Sequence, residues 1–491
     1  MKNRHLNRIF IGLILLLVIP AINIVFLVLS PRIYTILYII PAVSILVLIA
    51  LYERAELKLS YIAACVIFPV TSPVLVLFLL CLTRGSRKGR RGTPALKKPS
   101  REIIRMANGA IATALSLDPD ASLVYDFKAD YYTTGQRMAE DIFRDIALAE
   151  ELICLEYYIV SEGEFLDRLL AALCEAVSRG VRVCFIYDDL GSVLGVPPDF
   201  SLRLAKMGIL AVPFSPISSS AWRTNCRDHK KLLIIDGRVV YTGGINISDE
   251  YIGAGSYLGK WKDSGIRIES DTVMSVADGF EKMLASACAD GTIRYQRETP
   301  IPKRGRSKRS ACVIFSSYPT RLFGSSAARD VISQMICCAS ERVTLVTPYF
   351  IPDASLFDLI LRTARRGVIV DIIIPGIPDK RLIRMLAEGF FEELLSAGAS
   401  IYEYTPGFLH SKIILTDGEA ALVGSVNLDQ RSLYQNFECA ALIYNSPVIE
   451  DVKEDIDGIL SECRKINIAD GAPSAIKRAV HHVFRAALPI L

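Results

Sequence analysis

Two short runs of the chain combine histidine and lysine at a spacing suited to phosphoryl transfer. His229-Lys230-Lys231 leads to Asp236, with Gly243-Gly244-Ile245-Asn246 behind it. His410-Ser411-Lys412 leads to Asp417, with Gly424-Ser425-Val426-Asn427 behind it. Both copies read H-x-K-x4-D-x6-G-[GS]-x-N. One imidazole nitrogen can attack a phosphodiester to give a phospho-histidine, and a second, protonated imidazole can give its proton to the departing alkoxide. Lys231 and Lys412 would neutralise the phosphate oxygens as charge builds on them. Gly244 and Ser425 are small enough to let backbone approach the phosphate, and Asn246 and Asn427 would add donors. The lysines and one imidazolium supply the positive charge, so no metal or other cofactor is expected. A lone H-x-K would carry no weight, but the chain has only five histidines. His5, His481 and His482 lie near the termini, which leaves His229 and His410 as the two in its body.

The elements that must position these residues repeat as well. Ile153–Ser161 reads as a buried strand, Glu164–Arg179 as a helix ended by Gly180, and Val181–Tyr187 as a second buried strand. In the other half Val343–Phe350, Ala354–Arg366, Gly367 and Val368–Ile374 follow the same order. A further strand, Leu210–Phe214 or Ser400–Tyr404, then leads into each histidine motif. This order predicts an α/β fold: two α-β-α sandwich domains, each with a mostly parallel sheet, related by a pseudo-twofold axis. If His229–Asp236 is a strand, His229 and Lys231 share one face, whereas Asp236 has the other parity. Asp236 and its counterpart Asp417, the third members of the two motifs, are therefore expected to be structural. Asp263 and Glu438, which follow the Gly/Asn tails, are the better partners for the imidazoles. A carboxylate on Nδ1 fixes the tautomer and frees Nε2.

The flanks say where such a site would work. Residues 9–29, 33–51 and 61–82 are nearly unbroken apolar runs, each of about the 20 residues that span a bilayer. The predicted anchor, residues 1–83, has two or three spans. No small-residue cleavage site follows the first run, which is too long for a signal peptide. Residues 84–100 form a basic linker, and the positive-inside rule puts it in the cytoplasm. Its charges would hold anionic headgroups at about 1 kcal/mol per basic residue. The expected domains are 101–296 and 311–473, joined by a basic connector at 297–310. Residues 474–491 mix Lys477, Arg478 and Arg485 with apolar positions, as an amphipathic helix on a membrane surface or an ordinary packing helix would. The 12 cysteines lack zinc-type spacing, and several sit in apolar runs, which reads as a reducing compartment.

The paired motifs resemble the phospholipase D superfamily. Thr242-Gly243-Gly244-Ile245-Asn246-Ile247-Ser248-Asp249-Glu250-Tyr251, Trp261-Lys262-Asp263, Thr347-Pro348-Tyr349-Phe350-Ile351-Pro352-Asp353 and Asn436-Phe437-Glu438 narrow the resemblance to bacterial cardiolipin synthases. Asp228 departs from the Asn usual before the first histidine, and it would either raise the basicity of His229 or be neutral. The resemblance implies phosphatidyl transfer between two phosphatidylglycerol molecules, with His229 as nucleophile and His410 as general acid; the motifs themselves are symmetric on that point. The expected partners are phosphatidylglycerol, other anionic phospholipids and the bilayer, with no nucleic acid. The expected location is the cell membrane, multi-pass, with the catalytic domains on the cytoplasmic side. Alternatives are a hydrolytic phospholipase D, transfer to another alcohol, and a non-catalytic membrane scaffold.

Overall fold

The computed structural model describes residues 109–215, 226–256, 258–271, 273–287, 310–320 and 325–467. The three apolar runs, the linker 84–100, the connector up to Arg309 and the C-terminal stretch 474–491 lie outside these residues. Among the described residues no helix is long and apolar enough to cross a membrane.

The described chain opens with α1 (Ala110–Leu117) and β1 (Ser122–Val124). The first half then runs β2 (Lys128–Tyr132), α2 (Gly135–Leu148), β3 (Leu152–Tyr157), α3 (Glu164–Ser178), β4 (Arg182–Asp188), α4 (Phe200–Lys206), β5 (Leu210–Phe214), β6 (Lys231–Ile235), β7 (Val239–Gly243), β8 (Gly265–Glu269) and α5 (Met274–Ala287). The second half begins with β9 (Ala311–Ser317), α6 (Ala327–Cys338), β10 (Arg342–Val346), β11 (Phe350–Ile351), α7 (Ala354–Arg365) and β12 (Ile369–Pro375). It continues with α8 (Arg381–Glu388), α9 (Phe391–Ser396), β13 (Ser400–Tyr404), β14 (Ile413–Thr416), β15 (Ala420–Gly424), β16 (Leu428–Asp429), α10 (Gln430–Tyr434), β17 (Glu438–Tyr444), α11 (Val448–Ser461) and β18 (Cys463–Lys465).

The first sheet has seven strands in the order β2-β8-β7-β6-β3-β4-β5. Within the nine strands of the second, β9-β17-β15-β14-β10-β12-β13 repeats that order. The sheets are mixed, not mostly parallel as expected. Only β3, β4 and β5, and likewise β10, β12 and β13, run parallel. The cause is local. Asp236 and Asp417 take φ of 52° and 51°, each followed by a glycine with positive φ, and turn β6 into β7 and β14 into β15 as hairpins. The carboxylates of the same aspartates tie down the starts of the central strands. Asp236 accepts from the amides of Glu150, Glu151 and Leu152 at 2.8–2.9 Å. Asp417 accepts from those of Ser340, Glu341 and Arg342 at 2.8–2.9 Å, and from the Ser340 hydroxyl.

Helix ends follow the same economy in both halves. Asp249 accepts from the amides of Glu164 and Phe165 at the start of α3, and Asp353 from those of Ser355 and Leu356 at the start of α7. Gly180 and Gly367 follow the last turns in the left-handed region.

The halves share a core. Leu232, Ile234 and Ile268 of the first sheet belong to one apolar cluster with Ile314, Val423 and Ile443 of the second, together with residues of α5 and α11. The opposite face of the first sheet packs Leu155 and Leu233 against Ile142, Leu169 and Leu173 of α2 and α3. β1 crosses over to pair with β9, so the segment that precedes the first half completes the second sheet.

Candidate active site

Each histidine stands just ahead of its hairpin and is clamped there by main chain from the other half. His229 N donates to Phe437 O at 2.9 Å, and Phe437 N donates to Arg227 O at 2.9 Å. His410 N donates to Lys262 O at 2.7 Å, and Lys262 N donates to Phe408 O at 2.9 Å. The residue after each clamp is a carboxylate, so the register delivers it to the imidazole. His229 Nδ1 lies 3.0 Å from both Glu438 oxygens, and His410 Nδ1 lies 2.7 Å from Asp263 Oδ2. The pairing is crossed: each imidazole takes its carboxylate from the opposite half. A donor N–H at Nδ1 leaves Nε2 free on both rings.

His229, Lys231, Asp263, His410, Lys412 and Glu438 are all buried. Lys231 Nζ donates to the carbonyl of His229 at 2.6 Å, and Lys412 Nζ donates to that of His410. Burial, and then the charge of its neighbour Lys412, hold Lys231 down to about 7, and burial holds Lys412 down to about 8. Burial and the nearby lysines also hold His229 well below the usual imidazole range, with Lys380 and Arg431 adding to the effect. His410 is lowered to about 4 by burial and Lys412, against an upward pull from Asp263. Burial pushes Glu438 up to about 7, opposed by Lys231. His229 and Glu438 thus compete for one proton across a short contact.

The Gly/Asn tails sit differently from the phosphate cradle read from their composition. Gly244 N donates to Ser264 O and Ser425 N to Cys439 O, so neither amide is free. Their small size serves the carboxylates. A Cβ on Gly244 would stand 2.1 Å from Asp263 Oδ1. Ser425 donates its hydroxyl to Glu438. Asn246 accepts from Ile159 N at 3.1 Å and donates to the Tyr251 hydroxyl at 2.7 Å, which spends its amide on the scaffold. Asn427 differs, since its buried Oδ1 has no hydrogen-bond partner among the described residues.

Asp228 faces away from the imidazole. It is buried beside Glu156, which takes a 3.1 Å ion pair from Lys230, and burial and the charge of Glu156 push its carboxyl far up. The adjoining Arg227 is also buried. It lies 2.7 Å from Asp188, which accepts from Asp228 N as well.

Several site residues escaped the motif reading. The Tyr158 ring lies 4.9 Å from that of His229. Tyr251, Trp261 and Phe408 surround His410 at 5.6–5.7 Å. Lys380, in the loop after β12, acts on His229 through its charge. Tyr158, just after β3, and the aromatics flanking His410 were visible in the sequence, but nothing in their spacing assigns them to an imidazole.

Residues 332–460 match a family model described as cardiolipin synthase, PLD-like domain. The cardiolipin synthase of Listeria monocytogenes is 34% identical over 69% of this chain and 70% of its own. That of Halalkalibacterium halodurans is 32% identical over 66% of this chain and 64% of its own, just under two thirds of the relative's length. Among solved structures, a phosphatidylserine synthase of Haemophilus influenzae superposes with a TM-score of 0.58 at 14% identity, over 78% of this chain and all of the other, and shares the fold. The chain therefore belongs to the cardiolipin synthase family of phosphatidyltransferases, with the phospholipase D-like α/β fold.

Proposed function

We propose that the chain transfers a phosphatidyl group from one phosphatidylglycerol to the hydroxyl of a second, giving cardiolipin and glycerol. The observation that carries this reading is the crossed pair of histidine–carboxylate contacts with two buried lysines in one site. Nε2 of His229 attacks phosphorus; the P–N bond forms as the bond to the glycerol oxygen breaks. His410 gives its proton to that oxygen, and glycerol leaves. His410, now neutral, takes the proton from the primary hydroxyl of the second phosphatidylglycerol. The alkoxide attacks phosphorus and the P–N bond breaks. One phosphodiester replaces another, so the exchange needs no nucleotide.

The electrostatics favour this division of labour. A bound phosphodiester brings negative charge and draws a proton into the site. Asp263 pulls that proton toward His410, while the surrounding cations keep His229 neutral and nucleophilic. Lys231, Lys412 and the Nδ2 donor of Asn427 would hold the phosphate oxygens. Asp236 and Asp417 act through the hairpins that carry the lysines. The apolar runs in residues 1–83 would anchor the chain as a multi-pass membrane protein, with both halves on the cytoplasmic side beside anionic phospholipid.

The test uses the full chain reconstituted in phosphatidylglycerol vesicles with chelator present. One glycerol released per cardiolipin formed is expected. Turnover should fall by about 10⁴-fold or more in His229→Ala and in His410→Ala. Phosphatidic acid as the main product would replace this reading with a hydrolase.

A further inference from the structure

The ends of the sheets that carry the histidines also carry exposed apolar side chains. β3 runs antiparallel to β6 with Tyr157 opposite Lys231, and β4 runs parallel to β3. The loop leaving β4 is therefore at the histidine end. In the second half Val346 lies opposite both Ile413 and Ile373, so the loop leaving β12 is at that end too. The first loop exposes Leu190 and Leu194, the latter 97% exposed. The second exposes Ile377, and the first turn of α8 adds Leu382. Each loop touches the surroundings of the site. Gly191 packs against Tyr158, whose ring lies 4.9 Å from that of His229 at a tilt of 59°, while Lys380 lies over the Tyr349 ring and lends its charge to the field on His229.

Isolated exposed leucines are ordinary on a protein surface. Here the apolar residues occupy matched loops of two repeated halves, one at each side of a buried polar site. Lys380 and Arg381 are exposed between Ile377 and Leu382, which puts positive charge beside the apolar tips. That combination suits an interface of acyl chains and anionic headgroups.

We propose that the two loops are prongs, one from each half, that enter the lipid surface around the mouth of the site and let a headgroup phosphate reach the histidines while its acyl chains stay in the bilayer. This rests on the phospholipid substrate proposed above. It assigns Leu194 and Ile377 to lipid contact, and Lys380 and Arg381 to the headgroup layer.

The experiment places tryptophan at single positions of the full chain in phosphatidylglycerol vesicles, with and without brominated acyl chains. The unaltered chain, which has two tryptophans, is the blank. Leu194→Trp and Ile377→Trp should be quenched. Leu148→Trp and Ile369→Trp, exposed positions at the opposite ends of the sheets, should not. Absence of quenching at 194 and 377, or equal quenching at all four positions, overturns the docking. The readout does not depend on turnover. A chain quenched only at 194 and 377 that makes no cardiolipin would defeat the proposed reaction and leave the docking standing. The double variant Leu194→Ser/Ile377→Ser should lose about tenfold in rate on long-chain vesicles and keep its rate on a short-chain, water-dispersed phosphatidylglycerol. An unchanged rate on vesicles overturns the proposal.

Discussion

The two histidines share a motif and a fold position, yet they are held by different physics. The loop before His229 is anchored by charge: Arg227 is buried against Asp188, and removing one partner of such a pair costs about 3–5 kcal/mol. The residue that matches Arg227 ahead of His410 is Phe408, buried against Trp261 with ring centroids 5.0 Å apart. Beneath the rings, one half provides space at Gly244 for a short Asp263, and the other a hydroxyl at Ser425 for a longer Glu438. Duplicated machinery thus need not stay symmetric. On the proposed mechanism, the ionic side, which sits among more cations, suits the neutral nucleophile, and the aromatic side with its close aspartate suits the group that carries the proton.

The sharpest way to break this comparison is to remove the carboxylates one at a time. Asp263→Asn and Glu438→Gln should each cost about 10³-fold in kcat on phosphatidylglycerol. A donor whose leaving group is nitrophenolate needs no proton, so it should rescue Asp263→Asn but not Glu438→Gln. Rescue of Glu438→Gln instead would exchange the two roles. Next in size is the pair of small residues. Gly244→Ala forces a Cβ into Asp263 and should cost about 10²-fold. Ser425→Ala removes one hydrogen bond to Glu438 and should cost about tenfold. Steady-state rates on both variants, with a circular dichroism check of folding, decide the order. The lysines predict a pH limb. They are cationic below their pKa values and neutral above, and those values are lowered to about 7 and 8. Hence kcat/KM should fall as pH rises past about 7 and more steeply past about 8, while kcat holds to higher pH because bound phosphate raises both lysines. A kcat/KM still climbing at pH 9 would contradict this. Smallest for the chemistry are the turn aspartates. Asp236→Ala and Asp417→Ala should each lose about 2–3 kcal/mol in denaturant unfolding, Asp417 the more because it also holds the Ser340 hydroxyl, with kcat changed less than tenfold.

Much of the site was legible because its chemistry needs rare residues at fixed spacing. The strand–helix–strand order was legible too, and Leu210–Phe214 and Ser400–Tyr404 are strands with the bounds read from their apolar patterns. The mixed sheet was missed although a signal for it was present: Asp236-Gly237 and Asp417-Gly418 between apolar runs call for hairpins, which reverse the chain. The crossing of the carboxylates was not legible. Which one reaches which ring depends on the main-chain bridges at Asp228–Phe437 and Lys262–Leu409, long-range pairings that no local pattern encodes. The roles of Gly244, Asn246 and Ser425 went the same way, since a small or amide side chain near a phosphate motif serves the scaffold as readily as the ligand.

The central claim is that the two halves divide nucleophile and acid between them, and the most direct test is to find the covalent intermediate. Radiolabelled phosphatidylglycerol would be mixed with the reconstituted chain and quenched in alkali, where a phosphoramidate survives, and the labelled peptide mapped. The account predicts label on His229, retained in Asp263→Asn and absent in His229→Ala. Label on His410 would contradict it.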